Sequence, residues 1–269
     1  MEYFRLSEVR IYADKGISGT WLSDKVLWRP LSIYCTWLFV NLRIPSVLTV
    51  SFSLVCIAIS SILLFDNSQL SLILGAVGIE VYAYLDHVDG ESARFEMRRL
   101  KKANSRVGHF LDLFAHKVST IAMFAIGWAV ADATGNQIYS ILSFMLCFFI
   151  LGPVNEPANQ IVIEQAKKSD MREALAKLNA FSVVRYPESR TFRPPAFVLF
   201  LNELVGFPGW LHLIVFASLL DAFVAPLWLY GQEYFYRELL VILLTPLYVA
   251  KFLYSFLHYL KLMFSIKHD

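Results

Sequence analysis

Six long apolar runs punctuate the chain, at 46–65, 70–85, 108–131, 137–154, 207–230 and 238–264. Each approaches the roughly 20 mostly apolar residues that a helix needs to cross a bilayer. The first carries no charge, the second is interrupted by Glu80, and the third is apolar only after Lys117. The fifth contains Asp221, and the sixth contains Lys251 and His258. Segment 23–41 is different: it mixes Lys25 and Arg29 with Trp28, Trp37, Tyr34 and Phe39. Aromatic and basic residues at intermediate hydrophobicity suit a helix lying in the membrane interface. Reading it as a seventh span would put the N-terminus on the far side. The stretch 161–178 is rich in good helix formers and reads as a polar helix, ended by Pro187, Pro194 and Pro195. The expected fold is all-α and integral to the membrane, with six transmembrane helices preceded by an interfacial amphipathic helix. Residues 1–45 form an N-terminal arm with that helix, and 46–269 the six-helix domain, with an excursion at 157–205.

Composition agrees. Of 269 residues, 57% are hydrophobic and 17% charged, with a mean hydropathy of +0.53. Soluble domains sit near 45–50% apolar and about 25% charged. Disorder, a coiled coil, a disulfide scaffold and a soluble enzyme are all excluded, and the length suits one bundle. Cys35, Cys56 and Cys147 all lie in apolar surroundings and read as small packed hydrophobes. Residues 1–30 show no secretory signal pattern.

Net charge is only +2, and no Lys/Arg block of nucleic-acid type is present. The basic residues are nevertheless sorted. The connections at 66–69 and 132–136 contain no Lys or Arg, whereas 94–106 carries Arg94, Arg98, Arg99, Lys101, Lys102 and Arg106. Segment 155–206 is also basic, with Arg185, Arg190 and Arg193 among its cations. Positive charge marks the cytoplasmic side. The chain is therefore expected to be multi-pass with both termini inside.

Ionisable residues within membrane depth cost roughly 2.5–3.5 kcal/mol each on insertion scales, so they point to function. Here they gather where the second apolar run ends and the third begins. Asp86 and Asp89 are three apart on one helical face, which Gly90 and Ala93 continue, with Arg94 next. Gly108, Asp112 and His116, spaced by four, form a second such face. Three converging carboxylates repel one another unless a cation joins them, and oxygen-rich sets suit Mg²⁺ or Mn²⁺. A divalent ion at this boundary is suited to grip a pyrophosphate, with Arg94 adding charge-assisted hydrogen bonds. The pattern predicts phosphoryl-type transfer.

These residues resemble the signature of the CDP-alcohol phosphotransferase (CDP-alcohol phosphatidyltransferase) family, D-x2-D-G-x2-A-R followed by G-x3-D-x3-D. Asp86, Asp89, Gly90, Ala93 and Arg94 fit the first half, and Gly108 and Asp112 the second. Arg29-Pro30-Leu31-Ser32 and Pro45-Ser46-Val47-Leu48-Thr49 resemble upstream family segments. The resemblance implies a CDP-alcohol donor held through its pyrophosphate on two divalent ions, attack by an acceptor hydroxyl, and release of CMP. It implies Asp86, Asp89 and Asp112 as metal ligands, a CDP site lined by Asp86, Gly90, Ala93, Arg94 and Gly108, and a homodimer in contact with membrane lipid.

Two departures stand out. The fourth motif aspartate is His116, which can act as base, as metal ligand or as both. Alternatively the base lies elsewhere, at His87 or His109, or the chain is a non-catalytic nucleotide- or lipid-binding subunit. The second departure is length: thirteen residues separate Arg94 from Gly108, more than the family spacing. The extra segment 95–107 serves either topology or the grip of a phosphate-bearing acceptor by Arg98, Lys101 and Lys102. Elsewhere, Asp221 and Lys251 are expected to pair, and Trp210, Trp228, Tyr230 and Tyr234 to anchor the chain at the membrane surface.

Overall fold

The computed structural model describes residues 3–14, 28–102, 105–151, 209–229 and 232–266. Every one of the six apolar runs is represented by a helix. In chain order the elements are α1 (Leu6–Ala13), α2 (Arg29–Asn41), α3 (Ser46–Leu63), α4 (Gln69–Arg98), α5 (Arg106–Thr134), α6 (Ile138–Leu151), α7 (Gly209–Phe223), strands β1 (Leu227–Leu229) and β2 (Gln232–Tyr234), and α8 (Tyr236–Ile266). Helices α3, α4 and α5 are long and apolar enough to cross a membrane, while α6 and α7 are shorter apolar helices. The chain is an all-α integral membrane protein. The predicted helix at 161–178 and the cations Arg185, Arg190 and Arg193 lie outside the described residues.

Helix α4 is central, packed against α1, α2, α3 and α7, and α3 also lies along α5. Small residues let these helices approach closely. A Cβ on Gly78 of α4 would fall 2.1 Å from the Ser60 hydroxyl of α3. One on Gly127 of α5 would fall 2.1 Å from the Ser143 hydroxyl and 2.7 Å from the Tyr139 carbonyl of α6. The core between them is apolar, with Ile57, Ile79, Tyr82, Met123, Ile126 and Leu146 fully buried.

The length of α4 separates scaffold from chemistry. Its 30 residues extend about 45 Å, against about 30 Å of bilayer hydrocarbon. The apolar half predicted at 70–85 is thus continued by a polar extension that carries the aspartate motif. The extension closes after Arg98: Lys101 takes a left-handed conformation (φ 54°) and Lys102 N–H donates to the Glu96 carbonyl at 3.1 Å, the wrapped ending typical of helix C-termini. Part of the extra length at 95–107 is therefore helix.

Helix α2 has 13 residues, about 20 Å, which is too short to span. Its outward side is apolar, with Leu31, Tyr34 and Leu38 about half exposed. Its inward side is polar: Ser32 and Thr36 donate to the two oxygens of buried Glu91 on α4, at 2.8 and 2.7 Å. Cys35, on the same helix, has its thiol pushed up by burial, an effect reinforced by Glu91 and opposed by the Tyr84 hydroxyl. All three cysteines are unpaired.

Three expectations are corrected. Segment 207–230 does not run as one helix. Helix α7 stops at Phe223, and after Pro226 the chain forms an antiparallel hairpin pairing Leu227 with Tyr234, Trp228 with Glu233 and Leu229 with Gln232. Proline removes a helix donor and pushes the preceding residue toward extended backbone. Asp221 does not pair with Lys251. It meets Arg237, Nε to Oδ2 at 2.6 Å, whereas Lys251 Nζ lies 5.5 Å from the Tyr248 ring centroid. Trp210 is 2% exposed, a core residue rather than a surface anchor. Glu80, to which the sequence assigned no role, has its Oε1 2.9 Å from His212 Nδ1, linking α4 to α7.

Candidate metal and nucleotide site

Helical geometry brings the two polar faces to one level. Asp86 comes 17 residues after Gln69, about 26 Å along α4, and His116 comes 18 residues before Thr134, about 27 Å along α5. The two helices run in opposite senses from the same end of the bundle, so the residues arrive side by side. His116 Nε2 lies 3.2 Å from Asp112 Oδ1 and 3.6 Å from Asp86 Oδ1. One ligand atom from each of Asp86, Asp112 and His116 falls within 4.8 Å of the others, a group able to hold a metal ion. The three side chains are about one-fifth to one-third exposed, open enough for a ligand to enter.

Asp89 is the buried member, 8% exposed. Its Oδ2 has no hydrogen-bond partner, and it stands close enough to Asp86 and Asp112 to feel both charges. A buried carboxylate oxygen without a partner carries a large desolvation cost. A cation shared with the neighbouring carboxylates removes that cost, so the donor set fits a divalent ion. Two to three carboxylates with one imidazole suit Mn²⁺ better than Mg²⁺.

The small residues lie where the motif requires. A Cβ on Gly90 would sit 3.3 Å from Arg94 Nη1, so the guanidinium lies over the glycine. Arg94 Nε donates to the Ala13 carbonyl at 2.6 Å, tying α1 to the edge of the site. Ala93, one turn beyond Asp89 on the same face, is half-buried. Gly108 stands in the first turn of α5, where its N–H donates to the capping Ser105 hydroxyl at 3.1 Å. A Cβ there would touch Val47 of α3 at 3.4 Å.

The insertion's cations are differently employed. Arg98 Nη1 donates to the Tyr12 and Asp14 carbonyls at 3.3 and 2.6 Å, and Lys102 Nζ lies 3.8 Å from Glu96. Arg99 pairs with Glu8. In this structure Arg98 and Lys102 hold the N-terminal arm and the end of α4. The imidazole that joins the carboxylates is His116.

The sequence reading passed over Tyr82 and Ser119. The buried Tyr82 hydroxyl lies 3.3 Å from His116 Nδ1, and Ser119 Oγ donates to the His116 carbonyl at 2.7 Å. A signal was present: Tyr82 is four residues before Asp86 and shares its face. Glu91 was passed over as well, hidden as a variable position inside the motif.

Residues 42–185, more than half of the chain, match the family CDP-alcohol phosphatidyltransferase. None of the curated proteins matches the chain. The matched span contains the whole cluster of Asp86, Asp89, Asp112 and His116, and on this evidence the chain belongs to the CDP-alcohol phosphatidyltransferase family.

Proposed function

We propose that this transferase moves a substituted phosphate from a CDP-alcohol to an acceptor hydroxyl, releasing CMP, in the synthesis of phospholipids or lipid-like phosphodiesters. The observation that carries the reading is the convergence of Asp86, Asp112 and His116 beside the partnerless oxygen of Asp89. Asp86, Asp89, Asp112 and His116 would hold divalent metal, two ions on the family pattern. Bound there, divalent ions would neutralise the donor's pyrophosphate and make its β-phosphorus easier to attack.

The chain's own groups supply the rest. Gly90, Ala93 and Gly108 leave room at the backbone for the nucleotide, and Arg94, already over Gly90, offers its guanidinium to a phosphate. His116 Nε2 has a single lone pair, so it serves one use at a time, as ligand or as base for the acceptor's proton. Activity of His116→Ala separates the two: a lost ligand is compensated by raising Mn²⁺, a lost base is not.

The sorted basic loops support a site at the cytoplasmic boundary, with both termini on that side. The apolar outer side of α2 supports its lying in the interface. The proposed partners are the CDP-linked donor, the acceptor alcohol, membrane lipid and a second copy of the chain, and nucleic acid is not among them. The test is CMP release by the purified protein in lipid nanodiscs, across a panel of CDP-alcohols and acceptors. Divalent-dependent release with at least one pair is expected, and no release with any pair would overturn the proposal.

A further inference from the structure

Helix α1 ends against the edge of the site. Its last carbonyls, which have no partner within the helix, meet two arginines one turn apart on α4. Arg94 Nε donates to the Ala13 carbonyl at 2.6 Å, and Arg98 Nη1 donates to the Tyr12 and Asp14 carbonyls at 3.3 and 2.6 Å. Positive charge is favoured at a helix C-terminus, so the two sides match. An arginine carries one hydrogen on Nε and four on its two Nη nitrogens. Spending the Nε hydrogen on Ala13 leaves Arg94 its Nη edge, which can grip a phosphate through two parallel bonds. That edge lies over Gly90: a Cβ there would meet Nη1 at 3.3 Å and Nη2 at 4.0 Å.

The tether belongs to a larger seat. Val9 and Ala13 are fully buried with Phe95 of α4, and Ile33 and Val40 of α2 complete that apolar cluster. Phe4 and Tyr12 set their rings edge-on to Phe95, with centroids 5.1 and 6.2 Å away. At its other end the arm is clipped to α2. The Phe4 carbonyl accepts from Trp37 Nε1 at 2.9 Å and from Asn41 Nδ2 at 3.2 Å, and the Phe4 N–H donates to Asn41 Oδ1 at 2.8 Å. A helix of eight residues is marginal in water by itself, so this packing sets its place. Phe95 is the neighbour of Arg94 in the chain, which couples the seat to the arginine.

We propose that α1 is a positioning element for nucleotide binding: docked, it holds Arg94 by Nε and presents the Nη edge, over Gly90, to a phosphate of a nucleoside diphosphate. This rests on the functional reading above only in taking Gly90 and Arg94 as the nucleotide's side of the site. An untethered arginine loses its rotamer freedom when the ligand arrives, and fixing it beforehand removes that cost from binding. Ala13 acts through its backbone carbonyl, so the substitutions that test the idea unseat α1 and leave Arg94 itself unchanged.

The experiment is titration of CDP, with Mn²⁺ present, against the full-length protein in nanodiscs. Val9→Asn places an amide in the apolar seat, and Tyr12→Ala, a milder change, removes one ring from Phe95. Neither alters the charge near the site. Hydrogen exchange across 6–13 should rise in both. The Kd for CDP should rise about tenfold in Val9→Asn, the size of one lost charge-assisted hydrogen bond, and less in Tyr12→Ala. Arg94→Ala should weaken CDP at least as much, and adding either substitution to it should change nothing further. Equal losses with and without Arg94 would mean that α1 only stabilises the fold, and would overturn the proposal. Wild-type CDP affinity in both variants would overturn it too, as would unchanged exchange across 6–13 in both, or no CDP binding by wild type. Tyr12→Ala keeps the buried Val9 in place, so the comparison stands on it where Val9→Asn does not fold. No turnover is needed. Coupling between α1 and Arg94 in a protein that releases no CMP would defeat the functional reading and leave this one standing, and CMP release without coupling would do the reverse.

Discussion

Arg237 and Asp221 close the end of the bundle opposite the site, Nε to Oδ2 at 2.6 Å with both side chains 2% exposed. Asp221 also accepts from the backbone N–H of Tyr236 at 2.6 Å, and Arg237 donates to Asn67 at 3.0 Å. One carboxylate thus caps α8, neutralises an arginine and joins α7 to α8. Breaking a buried pair by removing one partner costs about 3–5 kcal/mol. Arg237→Met should lower stability by about that amount in chemical unfolding of the detergent-solubilised protein. Adding Asp221→Asn should recover part of the loss, because it removes the stranded charge but keeps an acceptor for the helix cap.

The α5–α6 contact depends on the absence of a side chain at Gly127. An added methyl would collide with the Ser143 hydroxyl and the Tyr139 carbonyl. Because the carbonyl belongs to a helix backbone, it cannot swing away. Gly127→Ala should cost about 1–3 kcal/mol. Pairing it with Ser143→Gly should relieve only part of that loss, as measured by thermal unfolding.

Glu91 fastens α2 to α4 through Ser32 and Thr36. Replacing it with Leu leaves two hydroxyls without their acceptor and removes the polar link between an outward apolar helix and the bundle. Hydrogen exchange across 29–41 should rise in Glu91→Leu and stay near the wild-type level across α5.

Much of this was legible from spacing alone. Carboxylates are costly at membrane depth, so the faces formed by Asp86 with Asp89 and by Asp112 with His116 announced themselves, and helical rise brings Asp86 level with His116. The partner of Asp221 was not legible, because the apolar run continues to residue 230 although its helix stops at Phe223. Pro226 ends that prospect, the hairpin folds back, and Arg237 at the start of α8 arrives first. Tyr82 looked like one more apolar residue, and its place beside His116 depends on a hydroxyl whose neighbours come from another helix. The engagement of Arg94 and Arg98 by carbonyls of α1 was likewise hidden, since backbone acceptors leave no mark in the sequence.

The imidazole should show in metal preference. Mn²⁺ accepts nitrogen readily and Mg²⁺ poorly. Wild type should therefore be more active with Mn²⁺ than with Mg²⁺ at equal concentration. His116→Asp, which supplies a carboxylate at the fourth motif position, should shift the ratio toward Mg²⁺ by roughly tenfold, an affinity change of the size expected for altering a metal site's immediate surroundings. The rate of CMP release under each metal reads this directly.

The central claim is that Asp86, Asp89, Asp112 and His116 form the place where a divalent ion meets the donor's pyrophosphate. Crystals of the protein grown with CDP and Mn²⁺, measured at the manganese absorption edge, test it most directly. The account expects anomalous peaks within ligand distance of Asp86, Asp112 and His116, with the CDP pyrophosphate attached. Manganese and CDP bound away from these four residues would contradict it.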